Sequence, residues 1–125
     1  MSLVISSICL TLLGIIHLLP GVGMLSASRL TQLYGVPVDE PNLEILLRHR
    51  AVLFALLGAY LLLAAWHTPW QRVAYVAAFI SVTSFLVLAY TTGQNNTAIA
   101  RVVAIDWLAV VLTLTGYAAF LMSNP

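Results

Sequence analysis

Four stretches of this chain are apolar almost without interruption: residues 3–25, 43–66, 70–91 and 98–122. About 20 such residues, each rising about 1.5 Å, cross a hydrocarbon core of about 30 Å. His67-Thr68-Pro69 separates the second stretch from the third, and residues 92–97 separate the third from the fourth. Connections this short force neighbouring helices to run antiparallel. The pattern predicts an all-α fold: an integral membrane four-helix bundle with short loops, in a single domain over residues 1–125. No polar tract divides the chain.

The breaks carry local signals of their own. Residues 26–34 predict a short interfacial helix, with Leu30, Leu33 and Tyr34 dipping into the membrane, and Tyr34-Gly35-Val36-Pro37 reads as a turn. Asp39-Glu40-Pro41 reads as a helix start, with acids at the positive end of the dipole and proline in the first turn. Trp66 and Trp70 bracket the second loop, where an aromatic belt sits in membrane proteins. Gly93, Asn95 and Asn96 supply turn residues before the last helix. Pro20 removes the hydrogen bond to the Ile16 carbonyl and predicts a kink just past His17. The first stretch has no charge before Arg29 and is too long for a leader's apolar core. It reads as a span, although Ser26-Ala27-Ser28 has the small residues of a cleavage site.

Composition agrees. Hydrophobic residues make up 62% of the chain and charged ones 7%, against the roughly 25% charged that a soluble domain carries. There are five arginines and no lysine, too few cations to neutralise a nucleic-acid backbone. The one cysteine, Cys9, excludes an intrachain disulfide and a CxxC dithiol or zinc-thiolate site. No two histidines stand at helical metal-binding spacing, so no metal site is predicted. Arg29, Arg48, Arg50 and Arg101 lie towards the face of the first and third loops, and Arg72 alone towards the other. Counting all five, that bias puts both termini outside the cytoplasm; leaving out Arg48, Arg50 and Arg101 as residues within the helices sets Arg29 against Arg72 and removes the bias.

The informative positions are the few polar residues inside the spans. Arg50 sits about 8–11 Å from the shared face, Arg101 shallower, and His17 and Asp106 about 12–15 Å deep. They come from three helices and share one half of the bilayer. An arginine or aspartate at a helix centre costs about 2.5–3.5 kcal/mol on insertion scales, so these groups are expected to face the bundle interior and to pair. Arg50 or Arg101 with Asp106 is the expected pair. Arg48 has Glu44 one turn before it and reads as a snorkelling or locally paired cation. His49 and His67 read as interfacial and loop residues. Small residues such as Gly14, Gly58 and Gly116 allow helices to approach closely.

Gly14-x-x-His17 on the first helix, Tyr34-Gly35-Val36 after it and Arg48-x-Arg50 opening the second resemble the DoxX-like group of small four-helix membrane proteins, in its uncharacterised bacterial branches. The resemblance spans nearly the whole chain on short motifs. It implies a place in the bacterial inner membrane and, as in some members, service to a quinone-linked oxidoreductase, with quinone as the implied cofactor. The missing cysteine pair departs from a dithiol version of that activity. A more distant likeness is to the sterol-isomerase-like fold, whose acidic and histidine side chains move a proton on a sterol. Asp106, Glu44 and His17 would have those parts here. Small multidrug transporters carry an acid in the first helix and fluoride channels a Gly-rich, Arg-containing motif. Neither is present.

Three functions follow as expectations. The first is binding of a lipophile (a quinone, isoprenoid or lipid) whose polar head meets His17, Arg50, Arg101 and Asp106. The second is acid–base catalysis on a lipophilic substrate through Asp106 or His17. The third is an assembly subunit whose polar cluster only locks helices. Membrane lipid is an expected partner in all three. With so little aqueous surface, a membrane-protein partner or a second copy would dock in the membrane plane.

Overall fold

Backbone groups in hydrocarbon have no water to bond, so a spanning segment must satisfy them internally, and helices do this. The computed structural model describes residues 1–123. It holds five α-helices: α1 (Ser2–Leu18), α2 (Ala27–Tyr34), α3 (Pro41–Ala65), α4 (Gln71–Thr92) and α5 (Thr97–Ser123). Four segments are long and apolar enough to cross a membrane: Ser2–Met24, Pro41–Ala65, Thr68–Thr92 and Thr97–Ser123. The all-α membrane bundle predicted from the pattern is the observed fold.

Local signals explain the ends. Ser26 caps α2, its hydroxyl accepting from the Arg29 amide, and Gly35 closes it with a left-handed φ of 67° that a side chain would strain. Glu40 caps α3 by accepting from the amides of Asn42 and Leu43, with Pro41 in the first turn. Asn96 caps α5 through the Ile99 amide, 2.7 Å away.

The first span departs from expectation. Instead of one kinked helix to Leu25, the α-helix stops at Leu18 and continues as a 3-10 segment over Leu19–Met24. Pro20 has no amide to give the Ile16 carbonyl, and the tighter winding follows. Gly21 and Gly23 are buried in this segment. α2 lies on it and reaches α3 and α5, closing a small apolar cluster of Leu30, Tyr34 and Val38.

α1 is the hub of the bundle. It packs extensively on α3 and α5, and α4 packs on α5, whereas α3 meets α4 sparingly. The α1–α3 crossing depends on two glycines. A Cβ on Gly58 would stand 2.8 Å from Leu18 Cγ and 2.9 Å from both the Gly14 carbonyl oxygen and the Leu18 nitrogen. Lipid tails are as apolar as leucine, so helices gain little from burying leucine against each other, and this close approach supplies the packing instead.

At the end of the bundle that holds the N-terminus, a polar network ties three helices. Ser6 Oγ donates to Gln71 Oε1 (2.7 Å), the Tyr75 hydroxyl donates to the Ser6 carbonyl (2.9 Å), and Gln71 Nε2 donates to the Ala64 and Ala65 carbonyls at the end of α3 (3.1 and 3.3 Å). All three side chains are buried. The outer faces are apolar: Leu46, Leu56, Ile80 and Leu88 each expose more than half of their surface, as lipid-facing residues do.

Gly58→Ala is expected to destabilise the bundle by about 1–3 kcal/mol, because two of the three close neighbours are backbone atoms that cannot rotate away. Ala59→Leu, on the exposed side of the same helix, serves as the control in a detergent unfolding titration. The Glu40 cap has a pH signature. Amide donors favour the charged carboxylate and hold Glu40 below the usual glutamate range. Its contribution is complete above the ordinary value and is lost as pH falls through the depressed one. An NMR titration should find the Glu40 carboxyl ionising at lower pH than a glutamate in an unstructured peptide.

Candidate functional site

In the opposite half of the bundle, helix periodicity brings polar side chains to one place. His17 follows Leu13 by one turn, and its Nδ1–H donates to the Leu13 carbonyl at 2.8 Å. A carbonyl only accepts, so Nδ1 carries the proton. In the neutral ring Nε2 is then an acceptor, 3.2 Å from Ser81 Oγ on α4. The ring is buried and lies 5.8 Å, centroid to centroid, from Phe54.

Arg50 and Phe54 are one turn apart on α3, and the guanidinium sits 4.5 Å from the Phe54 ring centroid. It is also 5.2 Å from the Tyr34 ring and 5.8 Å from Phe85. Its Nη1 donates to the Tyr34 hydroxyl. Three aromatic faces and a phenol oxygen therefore surround this cation. Each such contact contributes about 0.5–2 kcal/mol, more as water is removed.

These groups line a cavity of about 170 Å³, together with Asp106 from α5. Its remaining walls are mainly apolar, including Ile16, Val82 and Val102, and α2 contributes Leu33 and Tyr34. Tyr34 is held from behind, since Asn96 Nδ2 donates to the Tyr34 carbonyl at 2.8 Å. The loop before α5 thus fixes the end of α2 that touches Arg50.

Of the four residues expected to meet a ligand head, His17, Arg50 and Asp106 line this cavity and Arg101 does not. Arg101 is exposed near the start of α5. Five residues separate it from Asp106, which turns the two about 140° apart on the helix. The expected pairing of Asp106 with Arg50 or Arg101 does not form. The one ion pair among the described residues joins Arg48 Nη1 to Glu44 Oε2 at 3.2 Å. Arg48 also donates from Nε to the Met24 carbonyl, 3.0 Å away, so it serves local structure as its spacing suggested. Arg50 is turned instead towards the aromatic faces and Tyr34, so it shares the cavity with the Asp106 carboxylate without forming a salt bridge to it. Among the described residues no three His, Cys, Asp or Glu side chains gather as a metal site.

No family model, curated protein or solved structure matches this chain.

Sequence reasoning did not assign Phe54, Ser81 or Phe85 to the site. A signal for them exists: Arg50 with Phe54, and Ser81 with Phe85, stand at i and i+4, where helical side chains share a face. Nothing local announces that the two faces meet. The Ser6–Gln71–Tyr75 network was missed for the same reason. Chemically, the cavity offers a cationic donor, an imidazole–hydroxyl pair formed by His17 and Ser81, and a carboxylate outside any salt bridge among the described residues, all walled by hydrocarbon.

Tyr34→Phe keeps the ring but removes the acceptor from a confined guanidinium. It is expected to destabilise the protein by about 1.5–3 kcal/mol, the range for hydrogen bonds to charged groups. Arg101→Gln should change stability by less than about 0.5 kcal/mol, as outward-facing substitutions do. Thermal unfolding of both variants in one detergent checks the contrast.

Proposed function

We propose that this protein binds a lipophilic molecule through a small polar head, received by His17, Arg50 and Asp106. The observation that carries this reading is their convergence, from three helices, on one mainly apolar cavity in which Asp106 forms no salt bridge among the described residues. A cluster that served only to lock helices would be expected to consume its own charges, as Arg48 and Glu44 do. Here donor and acceptor capacity remains directed at the cavity. Arg50 has N–H groups beyond the one given to Tyr34, the Ser81 hydroxyl that donates to His17 Nε2 can still accept on its oxygen, and Asp106 accepts when ionised or donates when protonated. A head with carbonyl and hydroxyl oxygens, such as a quinone and its quinol or an isoprenoid alcohol, meets all three.

Size narrows the choice. A cavity of about 170 Å³ is close to the engineered cavity of about 150 Å³ that holds benzene. It suits one ring and disfavours the fused nucleus of a sterol. The DoxX-like resemblance supports the same direction: a quinone as cofactor, service to a redox system, and residence in the bacterial inner membrane. A protein partner would meet the apolar outer faces in the membrane plane, as would a second copy.

Acid–base catalysis is the second reading, favoured by Asp106 sharing a cavity with His17. Asp106→Asn separates the two, because proton transfer through Asp106 ends while binding of the head survives in weakened form.

The test is mass spectrometry of lipophilic molecules extracted from protein purified in mild detergent, beside the double variant Arg50→Ala/Asp106→Asn. A stoichiometric molecule with a single-ring or small oxygenated head, present only in the wild type, is the expected result. An empty wild type, or identical bulk lipid in both samples, would sink the binding reading and leave the assembly subunit.

A further inference from the structure

The α3–α4 seam has an unusual construction. Hydrogen bonds between the two helices and their connecting turn gather at the turn end, where Gln71 bonds the Ala64 and Ala65 carbonyls and the Tyr60 hydroxyl donates to the Trp70 carbonyl at 3.3 Å. Elsewhere α3 meets α4 sparingly, in contrast to the close packing of α1 on α3 and α5. In the open part of the seam lies a second, shallower groove of about 180 Å³, lined by Arg50, Leu53, Phe54, Leu57 and Ser81. Three of these five, Arg50, Phe54 and Ser81, also line the inner cavity. They form a partition one side chain thick between the interior and the lipid-facing seam. Leu53, on the outer lip, is 52% exposed.

We propose that the α3–α4 seam is the lateral portal of the binding site, where the hydrocarbon tail of the bound molecule lies and through which it enters from the bilayer. This rests on the reading that a polar head occupies the inner cavity. A space of about 170 Å³ that holds a ring has no room for a long tail as well. The tail must leave, and two routes have exposed apolar residues at their mouths: the seam, and the side marked by Leu19 and Ile105. The second route lies between α5 and the 3-10 segment that carries Leu19, which do not touch each other among the described residues and are bridged by α2, packed on both. Widening it displaces α2, whose Leu33 and Tyr34 wall the cavity, whereas the seam needs only side-chain rotation of Phe54 and Arg50. The partition also suits an amphiphile. Arg50 stands at the boundary, so the head passes a hydrogen-bond donor as it enters, and Leu53 and Leu57 then receive the tail.

The experiment compares two probes, a dimethylbenzoquinone and the same ring carrying a decyl chain, by calorimetric titration of the protein in lipid nanodiscs. Three variants accompany the wild type: Leu53→Trp on the exposed lip, Leu57→Trp deeper in the seam, and Ile105→Trp at the other mouth. The wild type is expected to bind both probes, the decyl form more tightly. Leu53→Trp and Leu57→Trp should weaken the decyl probe by about tenfold or more and the tail-less ring by no more than about twofold. Leu53→Trp faces outward and keeps the test valid if the deeper variant does not fold. Equal effects on both probes, no effect on either, or selective loss in Ile105→Trp alone would overturn the portal while leaving the head site standing. A wild type that binds neither probe would instead overturn the reading on which the portal rests.

Discussion

The absence of water from the hydrocarbon core governs this molecule at every level. It removes the drive that buries leucine against leucine in soluble bundles, so the helices are held by close backbone approach and by hydrogen bonds. Gly14 and Gly58 provide the first at the α1–α3 crossing. Ser6, Gln71 and Tyr75 provide the second at one end of the bundle. The same absence makes every unpaired polar group costly, which is why the two polar sets of this chain carry different meanings. The Ser6 set is closed, with each member answered by another or by a backbone carbonyl. The set around Arg50 is open, with its charges directed at a cavity.

α1 links the two sets. It carries Ser6 near one end and His17 near the other, and both side chains reach across to α4. The contact between α1 and α4 is otherwise slight, so these hydrogen bonds determine how the two helices face each other. Below His17 the helix gives way to the 3-10 segment, and that change of winding lets α2 fold back over the cavity. A break in one helix thus provides the cover that a four-helix bundle with short loops would otherwise lack.

Much of the architecture was legible in the sequence because it is written locally. Ser26 and Glu40 are caps whatever lies across the membrane, and Gly35 marks the end of α2 by its own backbone. Arg48 with Glu44 is a one-turn pair within a single helix. Where the reading fell short, the cause is rotation of one helix against another. Depth along each span placed His17, Arg50, Arg101 and Asp106 in one half of the bilayer, but depth says nothing of azimuth, and Arg101 turns outward. The fate of Arg50 illustrates the same limit. A carboxylate is the natural partner for a guanidinium in lipid, yet the fold surrounds this one with Tyr34, Phe54 and Phe85 from three elements. Pro20 signalled a disturbance without revealing whether the helix would bend or rewind.

The hydrogen bonds from Asn96 to the carbonyls of Tyr34 and Gly35 join parts of the chain about sixty residues apart. α2 leaves the ribosome before α3 and α4, but the clamp on its C-terminal end is encoded only after both of those helices have been made. Val102 and Asp106, which complete the wall, come later still. The pocket therefore has no partial version: a nascent chain with three helices in the membrane has Arg50 and His17 but no enclosed chamber. Insertion of α5 is the step that creates the compartment.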